Sequence, residues 1–186
     1  MGIIEFNIFA LGCCIGSFLN VVICRFPSQR SIIYPRSRCL KCNSKINWFD
    51  NIPIFSWLIL KGKCRFCKNK ISFQYPLIEL ITGFLFILNF YSTPTLFNTL
   101  PEEFVFIMGC VLSSIFLLLS VFDYKYFWLP SIFTVSGIFL GLTNALIFDF
   151  FIDFNNFTFF KYSLLASVLG YLIFKLMSFF GKIIFK

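Results

Sequence analysis

Charge is the first thing this sequence has little of. Only 13% of its 186 residues are charged and 59% are hydrophobic, against roughly 25% charged in an ordinary soluble domain. That shortage excludes a chain that keeps most of its surface in water and places it in lipid. The apolar N-terminus also lacks the marks of a cleaved secretory signal. It has no basic leading segment, Glu5 stands near its start, and no small-x-small site precedes the polar stretch. The first hydrophobic run therefore reads as a retained membrane helix. We see no internal repeat and no low-complexity linker. The 30 phenylalanines need no recognition surface to explain them, since scattered apolar residues are ordinary.

What is present is a series of apolar runs. A hydrocarbon core about 30 Å thick takes roughly 20 helical residues, and five windows approach that length: 3–23, 77–91, 104–122, 129–148 and 162–180. Lipid-exposed backbone must satisfy its own polar groups, so these runs are expected to be helices. The expected fold is an all-α polytopic membrane protein with about five transmembrane helices and a polar loop between the first two. In the first run Gly12 and Gly16 form a GxxxG pair, continued by Ser17 and Asn20. This pattern predicts close packing against another helix and says nothing of chemistry.

Positive charge fixes the expected orientation. Eleven of the 16 Lys and Arg residues lie between Arg25 and Lys70, and short basic loops stay on the cytoplasmic side. The loop 25–75 is then inside. The connection with Glu102 and Glu103 falls outside and the turn with Lys125 inside. The connection with Asp149, Asp153 and Lys161 falls outside, and the tail with Lys182 and Lys186 inside. The N-terminus is outside. Membrane lipid is thus a partner. The basic loop does not by itself imply nucleic acid, because the positive-inside bias already accounts for its charge.

The loop carries two CxxC pairs, Cys39–Cys42 and Cys64–Cys67, with 21 residues between them. Two such knuckles complete the tetrahedral all-sulfur shell of a structural zinc, with no open position for catalysis. Two disulfides or one redox dithiol are the alternatives. A reducing cytosol and the flanking Lys41, Lys63, Arg65 and Lys68 favour thiolates and metal. Cys13, Cys14, Cys24 and Cys110 lie in or beside apolar runs and receive no role.

One carboxylate stands out. Asp123 closes the run 104–122, and an ionisable residue at the end of a span is a candidate functional group, although water reaches a helix end. Aspartic protease chemistry needs two carboxyl groups sharing a proton. Asp50 lies in the loop, and Asp149 and Asp153 fall on the far side of the bilayer. Only Glu79 is placed to approach Asp123.

Several segments together carry a family resemblance. They are Gly16-Ser-Phe-Leu-Asn-Val-Val-Ile-Cys-Arg-Phe-Pro27, Trp48-Phe-Asp-Asn-Ile-Pro-Ile-Phe-Ser-Trp57, Gly62-Lys-Cys-Arg-Phe-Cys67, Tyr75-Pro-Leu-Ile-Glu-Leu-Ile-Thr-Gly83, and Asp123 with Leu129-Pro130. In this order they resemble the prepilin peptidases, leader peptidase/N-methyltransferases of the GxGD aspartic protease group. The resemblance runs over essentially the whole chain. It implies residence in the bacterial inner membrane, in type IV pilus or type II secretion systems. It implies cleavage of a basic leader from prepilins or pseudopilins, and methylation of the new N-terminus with S-adenosylmethionine. It makes Asp123 the first catalytic aspartate. It divides the chain into a methyltransferase-associated N-terminal domain, 1–92, and a partial peptidase membrane domain, 104–186.

There are departures from that pattern. Ser131 stands where the family usually has Asp, and Leu40 replaces a Pro in the first CxxC. The second catalytic aspartate, in a GxGD motif, is not found in these 186 residues, and 179–186 resembles the stretch before it. We therefore expect this polypeptide alone not to cleave prepilin, with the missing half supplied separately. A noncatalytic membrane scaffold carrying a zinc-ribbon binding loop is the other reading.

Overall fold

A computed structural model describes residues 2–96, 102–152 and 157–184, apart from the side chains of 94–96, 102, 152, 171 and 173–184. Among the described residues six α-helices run in chain order: α1 (Ile3–Arg25), the short α2 (Phe55–Ile59), α3 (Gln74–Leu96), α4 (Glu102–Tyr126), α5 (Ser131–Ile152) and α6 (Thr158–Ile184). Among the described residues the only extended pairing is two isolated antiparallel bridges in the loop, Arg38 with Lys45 and Lys63 with Lys70. The all-α expectation holds.

Four of these helices are long and apolar enough to cross a membrane: α1, α3, α4 and α5. The fifth expected span, 162–180, lies within α6, much of whose side-chain detail falls outside the described residues. So do Asp153, the side chains of Glu102 and Lys182, and Lys186, on which part of the expected orientation leaned. The second span is longer than its apolar run predicted. It starts at Gln74 because Pro76 sits in the first turn, where a missing N–H costs nothing.

In lipid, apolar area gives no net drive for helices to associate, so small residues and hydrogen bonds set the packing. Alpha-1 and α3 show this. A Cβ at Gly12 would lie 2.8 Å from the Gly83 Cα, and one at Gly16 would lie 2.7 Å from the Glu79 Cα. The GxxxG pair is a contact surface, as its spacing predicted. Between α3 and α4, Asn89 Nδ2 donates to Ser113 Oγ at 3.1 Å, and Gly109 leaves room for the Asn89 amide. The outward faces carry apolar side chains such as Ile132, Val135 and Phe139.

The helix ends converge beneath the loop. Tyr126 donates its hydroxyl to the Ile23 carbonyl at 3.2 Å, and Lys125 Nζ donates to Gln74 Oε1 at 3.1 Å. Phe26, just after α1, packs on Phe122, Trp128 and Phe133. The C-termini of α1 and α4, the N-terminus of α3 and the start of α5 thus form one end of the bundle. Toward the other end of α5, about 27 Å from its start at 1.5 Å per residue, buried Asp149 accepts the amides of Phe159 (2.9 Å) and Phe160 (2.6 Å). A carboxylate there satisfies orphan donors of the first turn of α6.

Candidate metal centre and the cavity beneath it

The two CxxC segments fold alike. In the first, Asn43 N donates to Cys39 O (2.9 Å), Cys39 N to Ser44 O (3.0 Å) and Ile46 N to Ser37 O (3.0 Å). In the second, Lys68 N donates to Cys64 O (3.0 Å), Cys64 N to Asn69 O (2.8 Å) and Ile71 N to Gly62 O (2.7 Å). Asn43 and Lys68, at matching positions, both take positive φ, 59° and 58°. The chain thus repeats one knuckle, and the signal was in the sequence: Cys-x-x-Cys-x-x-Lys-Ile occurs at 39–46 and again at 64–71. A search for long-period repeats does not register a unit this short.

All four sulfurs lie within 4.8 Å of one another. Zinc–thiolate bonds of about 2.3 Å in a tetrahedron set neighbouring sulfurs roughly 3.8 Å apart, and the Cys39 and Cys67 Sγ atoms are 3.8 Å apart. The donor set and its spacing fit one tetrahedral metal ion. All eight cysteines are free, so the disulfide alternative finds no support in this geometry.

Local hydrogen bonds prepare the sulfurs. The Ser44 hydroxyl, 2.9 Å from Cys42 Sγ, and the Ser44 amide pull the Cys42 thiol down to about 6. Amides of Cys67 and Phe66 pull Cys64 down as well. At Cys39 the Cys42 amide acts in the same sense, but burial and the neighbouring thiols outweigh it and that thiol moves up. A bound divalent cation deprotonates coordinating thiols outright, so the mixed pattern belongs to the metal-free protein.

The knuckles are tied to the segment between them. Arg65 donates to Asp50 through Nε at 2.8 Å and Nη2 at 2.6 Å, and its guanidinium lies over the Phe49 ring, 5.4 Å from the centroid. This pairing holds the Asp50 carboxyl below its ordinary range. Trp57 Nε1 donates to Ile71 O at 3.2 Å. Its indole covers Gly62, where both the contact and a φ of +64° require glycine.

A third tie reaches the membrane helices. Glu79, only 6% exposed on α3, accepts the Ile54 amide through Oε2 at 2.7 Å. Ile54 has φ +63°, an outlier for a β-branched residue, and such strain of about 1–3 kcal/mol persists only where surroundings impose it. Sequence reasoning had no means of finding this contact, because a hydrogen bond to a loop amide leaves no residue pattern.

Between loop and bundle lies a cavity of about 580 Å³, lined by residues of both, among them Ser17, Asn20, Gln74, Glu79 and Arg36. Asp123 is not part of its lining. It is exposed near the end of α4, at the same end of the bundle, and no hydrogen bond to its carboxylate occurs among the described residues. Glu79 is engaged by Ile54 and forms no hydrogen bond with Asp123.

Residues 10–93, which hold most of α1, the knuckles and most of α3, match the model of the bacterial peptidase A24 N-terminal domain. The chain belongs to the prepilin leader peptidase family. A prepilin leader peptidase/N-methyltransferase of Myxococcus xanthus is 38% identical over 96% of this chain and 49% of its own length. A type 4 prepilin-like proteins leader peptide-processing enzyme of Escherichia coli is 39% identical over 72% of this chain and 54% of its own. A prepilin leader peptidase/N-methyltransferase of Klebsiella pneumoniae is 33% identical over 75% and 66%. The chain spans about half to two thirds of the length of these curated relatives. No solved structure matches it.

Proposed function

We propose that these residues form the substrate-receiving and N-methylating part of a prepilin leader peptidase. They sit in the bacterial inner membrane with the cysteine loop and Asp123 facing the cytosol. The observation that carries the reading is the paired-knuckle thiol site, which walls a cavity over the helix ends that Asp123 shares. Prepilins, named for the relatives, are the proposed substrate, and their apolar helices suit a site opening beside membrane spans.

Zinc bound by Cys39, Cys42, Cys64 and Cys67 is structural in this reading, since sulfur fills every position. S-adenosylmethionine, when bound, supplies an electrophilic methyl group on a sulfonium. The cavity falls within the roughly 300–1,000 Å³ of ordinary small-molecule sites, and its lining offers polar groups from both loop and helices. Asp123 is proposed as one of the two catalytic aspartates of proteolysis. A lone carboxylate cannot both activate water and protonate the leaving amine. The 186 residues on their own therefore leave the leader intact, and cleavage needs a second aspartate from residues outside them.

Purified chain in detergent, given S-adenosylmethionine, is expected to methylate a leaderless pilin peptide and to leave an intact prepilin uncut. Mass spectrometry reads both. Cleavage by these residues, abolished by Asp123→Asn, would overturn the single-carboxylate reading. Absence of methyl transfer from a zinc-loaded preparation would overturn the methylating role in favour of a scaffold.

A further inference from the structure

The floor of the cavity holds polar atoms that nothing in the protein satisfies. Asn20 is 1% exposed. Its Nδ2 donates to the carbonyls of Tyr75 (3.1 Å) and Gly16 (3.3 Å), which fixes the amide orientation and leaves Oδ1 without a partner. Gln74 is fixed in the same way: its Oε1 accepts Lys125, and its Nε2 is left unpartnered. Glu79, whose carboxylate accepts the Ile54 amide and the Ser17 hydroxyl, lies on the same helix interface and contacts no cation among the described residues. The other carboxylate of the lining, Asp50, is taken up by Arg65.

The floor thus offers acceptors at Asn20 Oδ1 and Glu79, and one donor at Gln74 Nε2. The first residue of a peptide presents the complement, an α-ammonium with several N–H donors followed at once by a carbonyl acceptor. Water can satisfy such atoms in the empty protein, but a buried carboxylate with no cation selects a positive group over water. The rest of the lining is basic: nine Lys and Arg residues line the cavity, among them Arg25, Arg30, Arg36, Arg38 and the Asp50-paired Arg65. They disfavour a run of Lys and Arg, whereas one terminal ammonium can settle on the acceptors at Asn20 and Glu79.

We infer that Asn20, Gln74 and Glu79 form a binding site for the free N-terminus of a peptide, with Glu79 as the counter-charge and proton acceptor for its α-amine. This rests on the methylating reading above and assigns residues of this chain to the amine that is methylated. The Glu79 carboxylate takes one proton from the α-ammonium and frees the nitrogen lone pair. That pair forms a bond to the methyl carbon of a sulfonium donor. The carbon–sulfur bond breaks with its electrons passing to sulfur, giving a neutral thioether and an N-methylammonium. The proton on Glu79 returns to solvent. Nearby cations assist by disfavouring the charged form of the amine.

The test uses the full chain, zinc-loaded in detergent, and an apolar helical peptide beginning with phenylalanine, either with a free α-amine or N-acetylated. Binding is read by calorimetry without any methyl donor. The free-amine peptide is expected to bind about tenfold tighter, the factor that one charge-assisted contact supplies. Glu79→Gln, which keeps an acceptor for the Ile54 amide, is expected to erase that preference without changing the affinity of the acetylated peptide. Equal binding of the two peptides by the wild type overturns the site without recourse to any variant, and so does an undiminished preference in Glu79→Gln. Separate failures are separable. Amine preference without methyl transfer keeps the site and removes the methylating reading. Methyl transfer with unchanged kcat/KM in Glu79→Gln keeps that reading and removes the site.

Discussion

The cysteine loop and the helical bundle are held together by different physics. The bundle packs where glycine lets two backbones meet, at Gly12 and Gly16 against Gly83 and Glu79, and it buries Ile23, Ile78 and Phe122. The loop has almost no such interior. Ile33, Leu40, Trp48 and Ile59 are each at least 75% exposed, and Cys64 is its one buried hydrophobic residue. A segment with so little apolar burial needs another source of order, and four converging thiols provide it. In the reading proposed above these thiols hold a metal ion whose binding free energy is folding free energy, whereas the bundle rests on close helix contact.

Removing a metal ligand should separate the two parts most sharply. Cys64→Ser is expected to abolish zinc binding and to expose the amides of 37–71 to rapid hydrogen exchange, while those of α1 and α3 stay protected. Loss of protection in both regions would show that they are not independent. A smaller effect is expected from Gly16→Ile, which forces a side chain onto the Glu79 backbone and Thr82. Overpacking of this kind costs about 1–3 kcal/mol and should lower the thermal midpoint of the helices while zinc content stays unchanged.

The smallest effect belongs to Arg65→Lys, which loses the two-pronged contact with Asp50. Its sign with pH is fixed. The Arg65 guanidinium holds the folded Asp50 carboxyl below the ordinary carboxylate range, so its contribution is fully present above about pH 4 and fades as pH falls below that. Wild type and Arg65→Lys should therefore differ in loop protection at pH 7 and converge in strong acid. A difference that grows as pH falls would contradict the pairing.

Legibility in the sequence follows the same division. Helices and the glycine contact were readable because hydrophobic length and small-residue spacing act locally. The thiol cluster was readable because two CxxC pairs announce themselves. The Glu79–Ile54 contact, the Arg65–Asp50 pairing and the unpartnered amides of Asn20 and Gln74 were not, since each depends on how the loop settles over the helix ends. Glu79, read in the sequence only for its place near Asp123, also anchors a strained loop residue. The repeated knuckle was visible in principle, and was missed because eight residues fall below the length at which repeats are sought.

Everything proposed for the cavity presumes that its wall is shaped by one metal ion. Native mass spectrometry of the purified chain, run before and after chelation, tests this most directly. One zinc per chain, with all eight cysteines reduced after chelation, is the predicted result. A metal-free chain with Cys39, Cys42, Cys64 and Cys67 joined as disulfides would contradict it.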